Sequence, residues 1–197
     1  MNRRQFVTRV THVTTSGLVV ATAFAAGCTT TGPDSPSDNA AKRQEIDAGV
    51  DGALNRLYGS ADGARELGAK AQGILVFPRV LSAGLGIGGS YGDGSLRAKG
   101  ATVGYYRTIA ASVGLTAGGQ SKAVIIMFMT PEAYNKFVQS SGWTVGADAS
   151  VALAKIGANG KIDTVTAAQP VIGFVQTNAG LMFDVSLDGS KISKLSI

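Results

Sequence analysis

Apolar residues fall into two regimes along this chain. Between Ala40 and Tyr58, Ile46, Val50, Leu54, Leu57 and Tyr58 recur at helical spacing, which predicts an amphipathic helix with one apolar stripe. Lys42, Arg43 and Arg56 flank the stripe and alternate with Glu45, Asp47 and Asp51. Ser60 is placed to cap a second, shorter helix reaching about Ala71, with Gly73 as its stop. From Ile74 the period shortens to that of strands. "ILVF", "AGLGIGGSYG", "TVGYYRTI", "ASVGLTAG" and "KAVIIMFM" are separated by Asp93-Gly94, Lys99-Gly100 and Gly118-Gly119, which predicts a succession of antiparallel hairpins. Thr130-Pro131-Glu132 then opens a helix, with a capping hydroxyl, proline in the first turn and an acid at the positive end. That helix, near 131–140, turns Tyr134, Phe137 and Val138 inward and stops by Gly142.

Beyond it, "TVGADASVALAKIG" is expected to turn at Asn159-Gly160 into a strand "KIDTVT". "VIGFVQT" turns at Asn178-Ala179-Gly180 into "LMFDVSL", and Asp188-Gly189 closes a last hairpin. The pattern predicts an α+β fold: a curved antiparallel sheet or barrel-like sandwich with two N-terminal helices and one inserted helix.

The first 27 residues fit none of this. Arg3, Arg4 and Arg9 precede a weakly apolar run, "VTTSGLVVATAFAAG", and no acid occurs before Asp34. Such a layout is a secretory signal, too short for a membrane span. Ala25-Ala26-Gly27-Cys28 resembles a bacterial lipobox, with Ala25 where leucine is usual. Cys28 is the single cysteine, so it forms no internal disulfide, and lipidation gives an exported thiol a reason to exist. A plain signal peptide with a chance cysteine is the alternative. Arg3-Arg4-Gln5-Phe6-Val7 resembles a twin-arginine export signal, an ordinary secretory route being the other possibility. Residues 28–41, rich in Thr, Ser, Pro and Asp, are expected to be a flexible tether with a reach of roughly 20 Å. The remaining 42–197 fit one domain.

Charge is mild. The formal value of +5 includes three arginines of the signal. Without it the chain is near +2, and 42–197 near +4, a density that suits an anionic surface and not a nucleic-acid binder. The basic residues concentrate in 42–107.

Chemistry is excluded more firmly than it is suggested. The single histidine, His12, lies in the signal, so no Ser-His-Asp triad, Cys-His pair or His-ligated zinc can form in the domain. Gly88-x-Ser90-x-Gly92 matches a nucleophile elbow, but the residues after Ser90 form turns and not a helix. Gly84-x-Gly86-x-x-Gly89 matches a dinucleotide loop, yet Gly92 and Gly94 follow where a helix must start, and no acid stands some 20 residues on. Glycines at 84, 86 and 88 recur with period two and instead predict a glycine-faced strand. No enzyme activity, cofactor or metal is expected.

"AQGILVFPRVLSAGLGIGGSYGDGSL", "VGYY", "AGGQSKAVIIMFMT", "SSGWTVGADASVAL" and "PVIGFVQTNAGLMFDVSLDGSKISKL" together are similar to the SYLF domain family, over about residues 42–197. The resemblance implies binding of phosphoinositides or other anionic lipids, in a family where some members also bundle actin and bacterial members are often exported lipoproteins. It implies an N-terminal amphipathic helix with basic residues as the lipid site. The matching positions are Lys42, Arg43, Arg56, Arg65, Lys70 and Arg79, with Arg97, Lys99, Arg107 and Lys122 as secondary candidates. The actin-binding segment of the relatives lies where this chain has its signal and tether, so that property is not carried over. The expected protein is therefore lipid-anchored through Cys28 in the cell envelope, at the outer membrane, with anionic membrane lipids as partners. The alternative is an interaction lipoprotein that docks a protein through a Tyr91, Tyr105, Tyr106 and Trp143 surface of its sheet.

Overall fold

The computed structural model describes residues 36–154, 161–177, 180–182 and 186–197, with side chains at all of these except 85, 86 and 112–119. The signal, Cys28 and most of the expected tether lie outside the described residues, as do Asn159-Gly160 and Asn178-Ala179. Pro36–Ile197 forms one compact unit, which holds both hydrophobic clusters of the described residues.

Helix α1 spans Pro36–Ser60 and begins four residues before the apolar stripe predicts, so residues 36–41 are helical. It buries Ile46, Val50, Ala53 and Leu57 against the sheet, with Leu54 and Tyr58 partly covered. The stripe is thus spent on the protein's own core. Helix α2, Ala64–Lys70, starts later than Ser60 predicts, with Gly63 as its N-cap. Ser60 is the last residue of α1, and its hydroxyl donates back to the Leu57 carbonyl at 3.3 Å, so it cannot cap α2.

The main departure from expectation follows. Strand β1 runs unbroken from Gly73 to Ala98 and β2 from Ala101 to Phe128, so one long hairpin replaces several short ones. Its turn is Lys99-Gly100, with both residues at positive φ, the two-residue geometry whose twist matches antiparallel strands. Asp93-Gly94 and Gly118-Gly119 are not turns: they pair across the ladder with Arg107-Tyr106 and Ala83-Gly84.

The ribbon instead folds back on itself. Between the pairs Gly84↔Gly118 and Gly86↔Gly114, β1 advances two residues while β2 advances four. A Cβ on Gly84 would overlap the Gly88 Cα and sit 2.8 Å from the Ile87 carbonyl oxygen, so glycine here permits the reversal. The two halves of β1 then meet backbone to backbone. A Cβ on Gly92 would lie 2.7 Å from the Arg79 carbonyl, and one on Gly94 would collide with the Val76 carbonyl. The glycine-faced strand is confirmed at Gly84 and Gly88, and its function is curvature. Gly86 lies outside the described side chains.

Helix α3, Pro131–Gln139, is capped by Thr130, whose hydroxyl accepts from the Ala133 N–H at 3.3 Å. Phe137 is buried and Tyr134 and Val138 are partly buried. Short strands β3 (Trp143–Thr144) and β4 (Ala152–Leu153) follow. Within the expected strand "KIDTVT", Thr164–Ala167 is a single helical turn, α4, because the Asp163 carboxylate caps it at the Val165 N–H. Strand β5 (Val171–Thr177) precedes β6 (Gly180–Met182) and β7 (Lys191–Lys194). After the turn at Asp188-Gly189, β7 joins β2 and β3, while residues 183–185 of the segment before the turn lie outside the described residues. One contact is parallel, β4 with β5, so the strongly curled sheet is mixed.

"KAVIIMFM" is continuously apolar because both faces of β2 are covered here. Val124, Ile126 and Phe128 point into one cluster with Phe137, Trp143 and Tyr106, while Ala123, Ile125 and Met127 point to the α1 side. Phe128 stacks on Phe137 at 4.8 Å, and Trp143 meets Phe137 edge-on at 5.4 Å.

Candidate functional site

Two carboxylates fasten α1 to the second half of the ribbon. Asp47 accepts from Ser95 Oγ at 3.1 Å, Thr102 Oγ1 at 2.9 Å and Tyr105 OH at 2.8 Å. Arg97 reaches the Asp47 carboxylate at 3.6 Å and Asp51 at 3.0 Å. Burial, then the hydrogen bond to Asp47, pushes the Tyr105 phenol up to about 12. Arg43, half-buried, adds its positive field at the same place.

Asp93 is the second hub. Arg107 grips it with two nitrogens, at 2.8 and 3.1 Å, Lys42 pairs with it at 3.1 Å, and Tyr91 OH donates to it at 3.0 Å. Burial works to raise the Asp93 carboxyl, but the hydrogen bonds from Arg107, Lys42 and Tyr91 outweigh it and hold the group below its ordinary value. The Arg107 guanidinium also lies 4.8 Å from the Tyr91 ring centre.

These hubs sort the candidate cations. Lys42, Arg97 and Arg107 are committed to carboxylates and offer an incoming anion little. Arg56, Arg65, Lys70 and Arg79 are exposed and stand outside every ion pair of the described residues, as does Lys99 at the hairpin turn. Arg65 lies 4.9 Å over the Tyr58 ring, which orients its guanidinium outward from α2. Lys122 is half-buried, and burial pushes its ammonium pKa down.

Spacing ties part of this set together. Lys42, Gly49 and Arg56 are seven apart, so they share one flank of α1, drifting only about 20° per step. A Cβ on Gly49 would meet the Pro78 ring at 3.0 Å, so that flank abuts Pro78-Arg79. Gly92, next to Asp93, lies against the Arg79 carbonyl on the same side. Arg79 therefore lies beside the segment of β1 that carries Asp93, while Arg56, on the same flank of α1, stands about 21 Å along the helix from Lys42.

Other candidate chemistry loses its geometry. Ser90 sits within β1, paired with Ala110, with no strand-to-helix turn after it. The proposed aromatic surface is dispersed: Trp143 and Tyr106 are buried, Tyr105 is turned to Asp47, and only Tyr91 is exposed. A surface depression of about 420 Å³ is lined by the 144–150 turn, Asp188 and Gly189, and carries no cation.

Residues 109–196 match the family model described as Ysc84, Las17-binding protein actin regulator. This Ysc84 (SYLF) match is consistent with the SYLF resemblance read from the sequence. No curated protein matches the chain. The match runs from the middle of β2 to the end of the sheet, and of the ten cations considered only Lys122 falls within it. The elements that present the free cations, α1, α2 and the first half of β1, precede the matched segment.

Sequence reasoning missed the two organising acids. A signal existed for one: Asp93 is the only carboxylate between Glu66 and Glu132, a stretch holding six Lys or Arg. A lone acid amid cations is the natural place for them to converge.

Proposed function

We propose that this SYLF-like domain binds anionic phospholipid headgroups, phosphoinositides among them, and acts by binding and not by catalysis. The observation that carries the reading is the set of four exposed cations, Arg56, Arg65, Lys70 and Arg79, that stand outside every ion pair of the described residues, on α1, α2 and β1, while Lys42, Arg97 and Arg107 are neutralised. Each cation near an anionic surface contributes on the order of 1 kcal/mol, so four give about 3–4 kcal/mol, enough for reversible attachment. Export, cleavage before Cys28 and acylation of that cysteine would supply the durable anchor, since one chain plus a basic patch is a workable pair. In this reading the protein resides at the outer membrane of the cell envelope, with a tether between anchor and domain.

Flotation of residues 36–197 with vesicles tests it without the anchor. The domain is expected to float with phosphatidylglycerol or phosphoinositide vesicles, not with phosphatidylcholine alone, and to be released by salt as charges are screened beyond about 8–10 Å. Failure to float with any anionic vesicle overturns the reading. The matched family, described as a Las17-binding actin regulator, favours a second reading in which the domain docks a protein partner. That reading gains if the exposed cations prove dispensable for membrane binding.

A further inference from the structure

Six large apolar side chains are exposed among the described residues, and four of them, Leu81, Ile87, Tyr91 and Ile109, belong to one region, the folded-over apex of the β1–β2 ribbon. Ile87 is 77% exposed and Leu81 53%. Along β1 every second residue is exposed on each side of the reversal, at Arg79, Leu81 and Ala83 before it and at Ile87, Gly89 and Tyr91 after it, and Tyr91 sits directly opposite Ile109. The apex is also free of acid. No Asp or Glu occurs between Glu66 and Asp93 or between Asp93 and Glu132, while Arg79 and Lys122 stand at its foot.

Soluble sheets usually protect exposed edges with charge, and an apolar ribbon without charged residues is a liability in water. We propose that this apex is a shallow membrane wedge, entering between anionic headgroups while the cations at its foot hold the phosphates. The proposal rests on the lipid-binding reading and adds the inserted element to it. Charge favours a lipid surface over a second copy of the chain, because a positive foot complements anionic headgroups and repels its own duplicate. Depth follows from the ladder. Among the described residues, β1 pairs only with β2 from Leu81 to Tyr91, and β2 only with β1 from Ala110 to Lys122, with β7 joining β2 as far as Ile109, so each strand keeps an outer edge with no ladder partner there. Such an edge is costly in hydrocarbon, so insertion stops at the boundary of headgroups and acyl chains, about 5–10 Å in. Tight reversal at Gly84–Gly88 keeps the wedge short and blunt.

The test uses residues 36–197 carrying Ile87→Trp, with vesicles of phosphatidylcholine and phosphatidylglycerol whose acyl chains are brominated near the headgroup or near the terminus. The native Trp143 is buried in the core and reports no contact with lipid. Blue-shifted emission on vesicle binding, quenched more by the shallow bromines, is expected. Ile87→Ser should lower vesicle partitioning about tenfold with an unchanged thermal midpoint, since this side chain leaves water only in the membrane. If Ile87→Trp floats with vesicles but its emission neither shifts nor quenches, the wedge is wrong and attachment by charge alone stands. If the unsubstituted domain does not float, the lipid-binding reading and the wedge fall together. If Ile87→Ser floats as before and only dissociates a dimer in sedimentation, the apex is a self-association surface and the wedge is overturned.

Discussion

The foot and the apex of the long ribbon are built from the same two strands in the same antiparallel ladder, yet their surroundings are opposite. At the foot, residues 74–77 and 123–128 are covered on one face by α1 and on the other by α3, Trp143 and the returning half of the ribbon. At the apex, Leu81, Ile87 and Ile109 face solvent with nothing over them. A ladder of hydrogen bonds therefore does not by itself make a core. What separates the two regions is the share of small side chains: Leu, Val, Phe, Ile and Met run almost without a break at the foot, whereas Gly, Ala and Ser alternate with the larger residues at the apex. Small residues permit the ribbon to bend, and the bend brings its halves close enough for the foot to be packed on both sides.

The contrast is most easily broken at Gly94. A Cβ there collides with the Val76 carbonyl, and backbone cannot step aside as a side-chain tip would. Gly94→Val should cost more than about 4 kcal/mol or prevent folding, as read by urea denaturation. Gly89→Ala at the apex, where the nearest atom would be 3.7 Å away, should change stability by less than about 1 kcal/mol. Equal effects at the two sites would show that the halves of β1 do not meet.

Next in size is the core itself. Phe77→Ala at the foot is expected to cost about 3–5 kcal/mol, because the buried ring leaves a cavity. Leu81→Ala, four residues on, should stay within about 0.5 kcal/mol. Similar losses would mean that something covers the apex in solution.

Asp47→Ala should cost about 2 kcal/mol, since it strands the partners of a half-buried hub. It should also lower the Tyr105 phenol from about 12 toward its ordinary 10, read by ultraviolet titration. The sign is fixed by the direction of the shift. A phenol raised on folding stabilises the protein fully below pH 10, and this contribution is lost as pH rises through about 12.

The smallest effect is expected at Asp93, with Asp93→Asn costing about 1–2 kcal/mol at neutral pH. Its carboxyl is depressed in the fold, so its contribution is complete above the ordinary value of 3.8 and is lost as pH falls through the lower folded value. The gap in thermal midpoint between wild type and Asp93→Asn should therefore close in that acid window. A gap that persisted below it would remove Asp93 from the account.

Much of the architecture was legible because it is local. The apolar stripe of α1, the Thr130 cap and the Lys99-Gly100 turn are each specified by a few adjacent residues, and each is found in the structure. Asp93-Gly94 and Gly118-Gly119 carry the same local signal as Lys99-Gly100 and do something else. Gly94 is glycine because Val76 lies against it, a demand set by a distant segment and invisible to a local pattern. The α+β class survived this, since it needs only the helix and strand periods and not the number of turns. For the site, the inventory of cations was legible but their state was not. Lys42 and Arg97 look like Arg56 and Lys70 in a sequence, and only the hubs at Asp93 and Asp47, the latter 48 residues from its partner Ser95, distinguish spent charges from free ones.

That distinction is the centre of the functional account, and reversing the free charges tests it most directly. Vesicle flotation would compare residues 36–197 with a variant carrying Arg56→Glu, Arg65→Glu, Lys70→Glu and Arg79→Glu, in low salt and with phosphatidylglycerol present. None of the four makes an ion pair among the described residues, so the variant should keep its thermal midpoint within a few degrees, roughly the shift that 1 kcal/mol produces. The account predicts that it stays with the unbound protein while the parent floats. A folded variant that floats as the parent does would contradict the claim that these four cations bind the membrane.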